Sequence, residues 1–204
     1  MKRDTRQAVI DATRQVLAGE GLKAVTMRRV AKEVGIAAPS IYRHFTDRDA
    51  LVRAVMAEGS QLFASYMFKA LAEPGPLEQL AATGARYLEF ALDHETIFGL
   101  MFGAWGELSL AEHSPGHGEG TSPGLQFLID RVGACAPGVR SREALMELAL
   151  EQWAVVHGLA SLYLHGGGRQ KMSRQKWEAV SSRIIRRSAE RLASAWNGDA
   201  GGAR

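Results

Sequence analysis

Apolar residues recur along the chain at spacings of three and four, and long alternating runs of β-branched residues are absent. That periodicity predicts an all-α protein of about nine helices. Val9, Ile10, Val16 and Leu17 define one face of a first helix, from about Thr5 to Ala18, closed by Gly19 and Gly21. Thr26 is a good N-cap for a second helix, with Val25 and Val30 placed to form a hydrophobic staple. Met27, Val30, Ala31 and Val34 then repeat as i, i+3, i+4, i+7, and Gly35 stops the run. A third, short helix is expected from Pro39 to about Phe45. Thr46 and Asp49 read as a capping box that opens a fourth helix reaching about Leu71.

The remainder reads as a helical body. "EPGP" at 73–76 breaks the chain, and a helix to Asp93 carries Leu77, Leu80, Gly84, Tyr87, Leu88 and Ala91. "ETIFGLMFG" predicts a short apolar helix, and residues 103–124, rich in Gly, Ser, Pro and His, predict a long loop. Further helices are expected over 124–134, from Arg142 to Leu164 with an interruption at Gly158, and over 173–196. The expected organisation is a three-helix domain over 1–50, a body over 51–197 and a disordered tail over 198–204.

The segment "AAPSIYRHFTDRDAL", residues 37–51, is poor in apolar residues for a packed helix. Ala31, Gly35 and Ile41 explain it, because their spacing suits two short helices meeting at a tight turn. Ala31 is small where the helices cross, Gly35 admits a positive φ, and Ile41 fills the space between them. Ala38, Pro39, Ser40, Tyr42, Arg43 and His44 then face outward. Small residues at the front of a helix let its N-terminus enter a major groove about 12 Å wide. Tyr42 and His44 suit phosphate contacts, and Arg43 suits a guanine edge or a phosphate.

Charge strengthens that reading. Residues 1–55 hold 11 Lys and Arg against 6 Asp and Glu, whereas residues 56–168 hold 5 against 13. Residues 169–204 return to 9 against 3. A basic N-terminal piece on an acidic centre points to an anionic partner for the first part. The single cysteine, Cys135, excludes an intrachain disulfide framework and fits a reducing compartment. Apolar runs are about half the roughly 20 residues of a membrane span, and "MKRDTRQAVIDATRQ" lacks the apolar stretch of a secretory signal, so a cytoplasmic protein with no membrane partner is expected.

"TMRRVAKEVGIAAPSIYRHFTDRDAL" resembles the TetR/AcrR family of bacterial repressors. The resemblance implies that Thr26 meets a phosphate and that Arg28 reaches a base or a phosphate. It implies bases for Pro39 and Ser40, and phosphates for Tyr42 and His44. Arg48 stands where the family usually has lysine, which keeps a phosphate contact feasible. Ala38 departs from the polar residue often found nearby, which weakens direct readout there. "EQWAVVHGLASLY" resembles a C-terminal type of that family marked by a Trp-x3-His-Gly element, here Trp153, His157 and Gly158.

The family resemblance implies a body that binds a small effector and dimerises. Phe63, Tyr66, Met67, Tyr87, Phe90, Phe98, Met101, Phe102, Trp105, Phe127 and Trp153 form a soft aromatic and Met-rich set that suits an apolar or amphipathic ligand, with His157 as a polar handle. The same positions also suit ordinary core packing, with Gly158 at a close helix crossing. Trp177, Ser181, Ile184, Ile185 and Ser188, with Leu159 and Leu162 from the preceding helix, suggest a four-helix seam across a two-fold axis. His113 and His117, near Glu112 and Glu119, lack a rigid frame for a metal, so neither metal nor cofactor is expected. No catalytic triad, phosphate loop or framed carboxylate pair suggests an enzyme. The expected function is a homodimeric repressor released by its effector from a pseudopalindromic operator. A DNA-binding regulator without an effector is the alternative.

Overall fold

Thr26 does what its side chain permits. In the computed structural model, which describes residues 5–102 and 122–197, its backbone is extended and its Oγ1 accepts from Arg29 N at 3.1 Å. That bond opens α2 (Met27–Val34), which follows α1 (Thr5–Glu20) and a 3-10 turn at Leu22–Ala24. Gly35 ends α2 in the left-handed region at φ 76°. Its amide donates to the Ala31 carbonyl, as does that of Ile36, and a side chain at this φ would be strained.

The third helix is shorter than expected. α3 spans Ala38–Ile41, and Tyr42–His44 form a turn whose last amide, with that of Phe45, donates to the Ile41 carbonyl. The chain leaves the helix there because Asp47 is already a cap. Its Oδ1 accepts from Ala50 N at 2.7 Å and opens α4 (Arg48–Lys69), while the Thr46 hydroxyl donates to Asp47 Oδ2 at 3.0 Å. The expected box on Thr46 and Asp49 is therefore displaced by one residue, because only the residue next to the first helical position reaches the amide three along.

Two compact units are present. The described part of the first holds residues 5–62 and 96–102. Its core gathers Val9, Ile10, Val16 and Leu17 of α1, Val25, Val30 and Ala31, Ile41 and Phe45, and Leu51, Val52 and Val55 of α4, all buried. Arg14 and Gln7 of α1 reach Glu58 of α4 across its surface. The short helix α6 (Glu95–Phe102) joins it, with Ile97 and Met101 over Gly59, where a Cβ would stand 2.6 Å from Ile97 Cγ2.

The second unit holds residues 63–95 and, among those described, 122–197. After a 3-10 turn at Ala70–Ala72 come α5 (Pro76–Asp93), α7 (Pro123–Cys135), α8 (Arg142–Leu164), α9 (Gly168–Lys171) and α10 (Arg174–Asn197). Leu80, Ile129, Val132, Ala149, Ala189 and Leu192 form one core cluster among α5, α7, α8 and α10. The tight crossing lies at Gly84, where a Cβ would stand 2.6 Å from Ile185 Cγ2 and 2.9 Å from Val156 Cγ1. Gly158 neither interrupts α8 nor marks a close crossing, since a Cβ there would meet nothing within 4 Å. A helix absorbs one such glycine at about 1 kcal/mol. Among the described residues there is no strand.

Candidate functional site

Ile41 is fully buried where α3 packs on α2, which turns the rest of α3 outward. Pro39, Arg43 and His44 are exposed, Ala38 and Ser40 half-buried, and Tyr42 is 57% exposed despite its size. Thr26 and Arg28 are exposed at the start of α2. A tyrosine held out of a core by the turn after an anchored isoleucine leaves apolar surface for which the described structure gives no use. Arg29, between two acids, is different. It pairs with Glu20 at 2.5 Å and Glu33 at 2.7 Å, and these bonds raise its pKa. Among the described residues Arg28 and Arg43 enter no ion pair.

Arg48 has a role that its sequence position did not announce. Its Nε donates to the Val25 carbonyl at 2.9 Å and its Nη2 to the Leu22 carbonyl at 3.0 Å. The guanidinium thus ties the start of α4 to the turn that precedes α2. A fork of donors can serve two carbonyls at once, which a lysine ammonium does less well.

The expected ligand wall divides. Phe98, Met101 and Phe102 belong to the first unit, where Phe98 and Phe102 stack with centroids 5.2 Å apart. Trp105 lies outside the described residues, as do His113 and His117. In the second unit Phe63, Tyr66, Tyr87 and Phe90 meet edge-to-face, with centroid separations from 5.1 to 5.7 Å. Met67 is buried in the same unit, and Phe127 instead packs on the exposed Phe68 at 5.7 Å.

Trp153 and His157, one turn apart on α8, both converge on Tyr87 of α5. Trp153 Nε1 donates to the Tyr87 hydroxyl at 3.1 Å, and that hydroxyl lies 2.9 Å from His157 Nδ1. Burial raises the Tyr87 pKa, keeping it a phenol, and burial lowers that of His157, favouring neutral imidazole. Indole is a donor only, so the Tyr87 oxygen accepts from Trp153, and the imidazole tautomer decides which of Tyr87 and His157 donates to the other. Sequence reasoning named all three residues without seeing that Tyr87 joins them, because α5 and α8 are 66 and 70 positions apart at these contacts.

A feature not anticipated is an open cleft of about 450 Å³ between α5 and α10, floored by Ala85, Leu88 and Ile185 and rimmed by Glu89, Arg174, Glu178 and Ser182. The expected seam residues are split between inside and outside. Ser181, Ile185 and Leu159 are buried within the second unit, because the missing side chain at Gly84 draws α8 and α10 onto α5. They serve that unit's own core. Trp177 packs on Tyr163 with ring centroids 5.4 Å apart. Ile184 and Ser188 are half-buried, and Leu162 is 55% exposed.

A capped helix, a left-handed glycine, a short second helix plugged by isoleucine and an outward Tyr-Arg-His define a helix-turn-helix DNA-binding regulator. Residues 9–55 match the family described as bacterial regulatory proteins, tetR family, and residues 80–188 match the tetracyclin repressor-like C-terminal domain. The chain belongs to the TetR family of transcriptional regulators. An HTH-type transcriptional regulator of Staphylococcus aureus (strain MRSA252) is 27% identical over 97 residues, covering 47% of this chain and 52% of that protein. An uncharacterized HTH-type transcriptional regulator of Haemophilus influenzae is 37% identical over 70 residues, 34% of either chain. The chain therefore spans about half the length of these relatives, or less.

Solved structures agree on the fold. A protein with unknown function from Rhodococcus sp. RHA1 superposes with a TM-score of 0.72 at 22% identity, covering 94% of each chain. The fatty acid degradation regulator of Bacillus halodurans gives 0.66 at 15% identity, covering 100% of this chain and 98% of that one. No helix among the described residues is long and apolar enough to cross a membrane.

Proposed function

We propose that the protein is a homodimeric, effector-responsive repressor that acts in the cytoplasm and leaves a pseudopalindromic operator when a small apolar or amphipathic molecule occupies its body. The observation that carries the DNA half is the exposed Tyr42, Arg43 and His44 row following buried Ile41. In this reading α3 enters the major groove with Ala38, Pro39 and Ser40 near the bases. Thr26, Arg28, Tyr42 and His44 hold phosphates, and Arg43 reads a guanine edge or a phosphate. Arg48 acts through the loop it braces.

The effector half rests on the Tyr87–Trp153–His157 network beside Phe63, Tyr66, Phe90 and Met67. Edge-to-face rings with one polar cluster among them suit a mostly apolar molecule that carries a single polar group. A switch requires the effector to bind the DNA-free state more tightly than the DNA-bound one. Operator fragments selected from a random duplex library and then challenged with a panel of apolar acids, alcohols and amines test both halves. DNA binding that no compound weakens would leave the regulator and remove the effector. The domain boundaries near residues 50 and 197 are part of the same proposal.

A further inference from the structure

Two charged rows in the second unit are the strongest feature that the function leaves unexplained. Glu143, Glu147 and Glu151 follow one another at i, i+4, i+8 on α8, and Arg183, Arg187 and Arg191 do the same on α10. All six side chains are exposed, and among the described residues none of them enters an ion pair. Like charges one turn apart weaken a helix, so each row opposes its own helix. Other side chains on α10 pair locally, Arg174 with Glu178 at 2.7 Å and Arg186 with Glu190 at 3.8 Å.

The rows are opposite in sign and alike in spacing and level. Tyr163 of α8 stacks on Trp177 of α10 at one end of the helix pair, with centroids 5.4 Å apart. At the other end, a Cβ on Gly138, just before α8, would lie 3.8 Å from the Trp196 carbonyl of α10. The helices therefore run antiparallel, and Ala149 shares a core cluster with Ala189 and Leu192. Both rows sit toward that second end. The outward face of α8 that holds the glutamates continues through Leu150 (43% exposed), Ala154, Gly158 and Leu162 (55% exposed), an apolar strip beside the charges.

We infer that the glutamate row of one copy seats on the arginine row of a second copy, so that the homodimer is keyed by two symmetric sets of ion pairs. This rests on the homodimer reading above and adds its register. A two-fold axis running along the helix pair places α8 of one copy opposite α10 of the other at the same level. The contact is made twice because the surface is self-complementary. Leu150 stands within the glutamate row and borders the pairs, which keep a solvent-facing edge and so remain open to screening by salt. Charge complementarity singles out a second copy, since one chain carries both halves.

Charge reversal tests this in a way that a structural role would not reproduce. Arg187→Glu makes α10 acidic at its centre, and Glu147→Arg makes α8 basic. Each variant alone sets like charges against one another, and its dimer dissociation constant in sedimentation equilibrium rises about tenfold or more. In an equimolar mixture the Glu147→Arg helix of one chain meets the Arg187→Glu helix of the other, and the second contact keeps native Glu147 against native Arg187, so both contacts of the mixed dimer are complementary and it associates near wild-type strength while each homodimer stays weak. Wild-type association also weakens as salt rises, because screening shortens from about 10 Å at 0.1 M to about 3 Å at 1 M. A wild-type monomer at tens of micromolar (on the scale of weak assemblies) overturns both the dimer and its register. A dimer whose constant ignores both reversals and salt overturns the register alone, as do weakened variants that fail to form mixed dimers.

Discussion

The Tyr87 hydroxyl and His157 Nδ1 lie 2.9 Å apart, and Trp153 Nε1 donates to the same hydroxyl at 3.1 Å. A neutral imidazole in this position binds fewer protons when folded than when unfolded. Its folded pKa is lowered by burial, so the unfolded chain takes up the extra proton as pH falls below about 6.5. Stability from this group is complete above that value and is lost as pH falls toward the folded pKa. His157→Ala is expected to cost about 1–3 kcal/mol at pH 7.5, because the hydrogen bond between Tyr87 and Nδ1 is lost. That deficit narrows between about pH 6.5 and 5, where only the wild type is penalised. Melting temperatures of both proteins across that window check it, and parallel curves would show that His157 is not held neutral. With effector in hand, a variant that melts lower yet releases DNA at unchanged effector concentration would remove His157 from the effector site.

Gly84 makes a second, independent demand on the same unit. A Cβ there would fall inside contact distance of Ile185 Cγ2 and Val156 Cγ1, on two β-branched side chains with little room to rotate. Gly84→Val is expected to destabilise by about 1–3 kcal/mol through overpacking, whereas Gly158→Ala, in open space, costs nothing and gains up to about 1 kcal/mol of helix propensity. Urea unfolding distinguishes the two. Equal effects would mean that α5 is free to shift.

Much of the first unit is legible in sequence because its signals are local. Thr26, Gly35, Val25, Val30 and Ile41 each act within a few residues, and each lies where the pattern put it. The fourth helix shows the limit of the same rules, since Thr46 and Asp47 are adjacent capping residues and only the geometry selects Asp47. In the second unit the helices follow from periodicity, but their partners do not. Ile185 and Ile184 are neighbours on one apolar stripe, and which of them faces α5 is decided by a glycine a hundred residues earlier. The wall of aromatics was likewise one list in sequence, and the fold assigns Phe98, Met101 and Phe102 to a different unit from Phe63, Tyr87 and Trp153.

Asp47 offers a direct test of the cap. Its carboxylate is held below the usual range chiefly by the Ala50 amide, with help from Thr46. Asp47→Ala is expected to lower the melting temperature at neutral pH, as loss of an N-cap does. A depressed folded pKa means that this stability is present above about pH 3.9 and disappears as pH falls through the folded value. Thermal melts at pH 7 and pH 3 compare the states, and Thr46→Ala has the smaller effect. A larger loss at Thr46 would restore the box on Thr46 and Asp49.

Tyr42 and Arg43 separate two kinds of DNA contact. Both are exposed, so replacing them leaves the fold intact. Tyr42→Ala removes one neutral hydrogen bond and an apolar surface, and operator affinity is expected to fall about fivefold to thirtyfold with the salt slope unchanged. Arg43→Ala removes a charge, so the slope of log affinity against log salt falls by about one if Arg43 meets a phosphate. A slope unchanged by Arg43→Ala, with relaxed preference at one base pair, would assign Arg43 to a base edge instead. Fluorescence anisotropy at several salt concentrations reads all of these, and unchanged affinity in both variants would displace α3 from the groove.

Arg48 gives the sharpest contrast between touching DNA and shaping what touches it. Its guanidinium donates to the Val25 and Leu22 carbonyls, the residues that lead into the Thr26 cap. A phosphate contact at this position predicts that Arg48→Ala weakens DNA binding, lowers the salt slope by about one and leaves the melting temperature alone. A bracing role predicts the reverse pattern. Two carbonyls lose their charged donors, stability falls by about 1–3 kcal/mol, and affinity drops with the slope preserved because Thr26 and Arg28 are less well positioned. Arg48→Lys separates the two further. A lysine keeps the positive charge and so keeps a phosphate contact, but its ammonium cannot span both carbonyls with the same fork. The geometry favours bracing, so Arg48→Lys is expected to melt below the wild type and to bind operator more weakly at every salt concentration. A lysine variant with wild-type melting and wild-type affinity would return Arg48 to the phosphate.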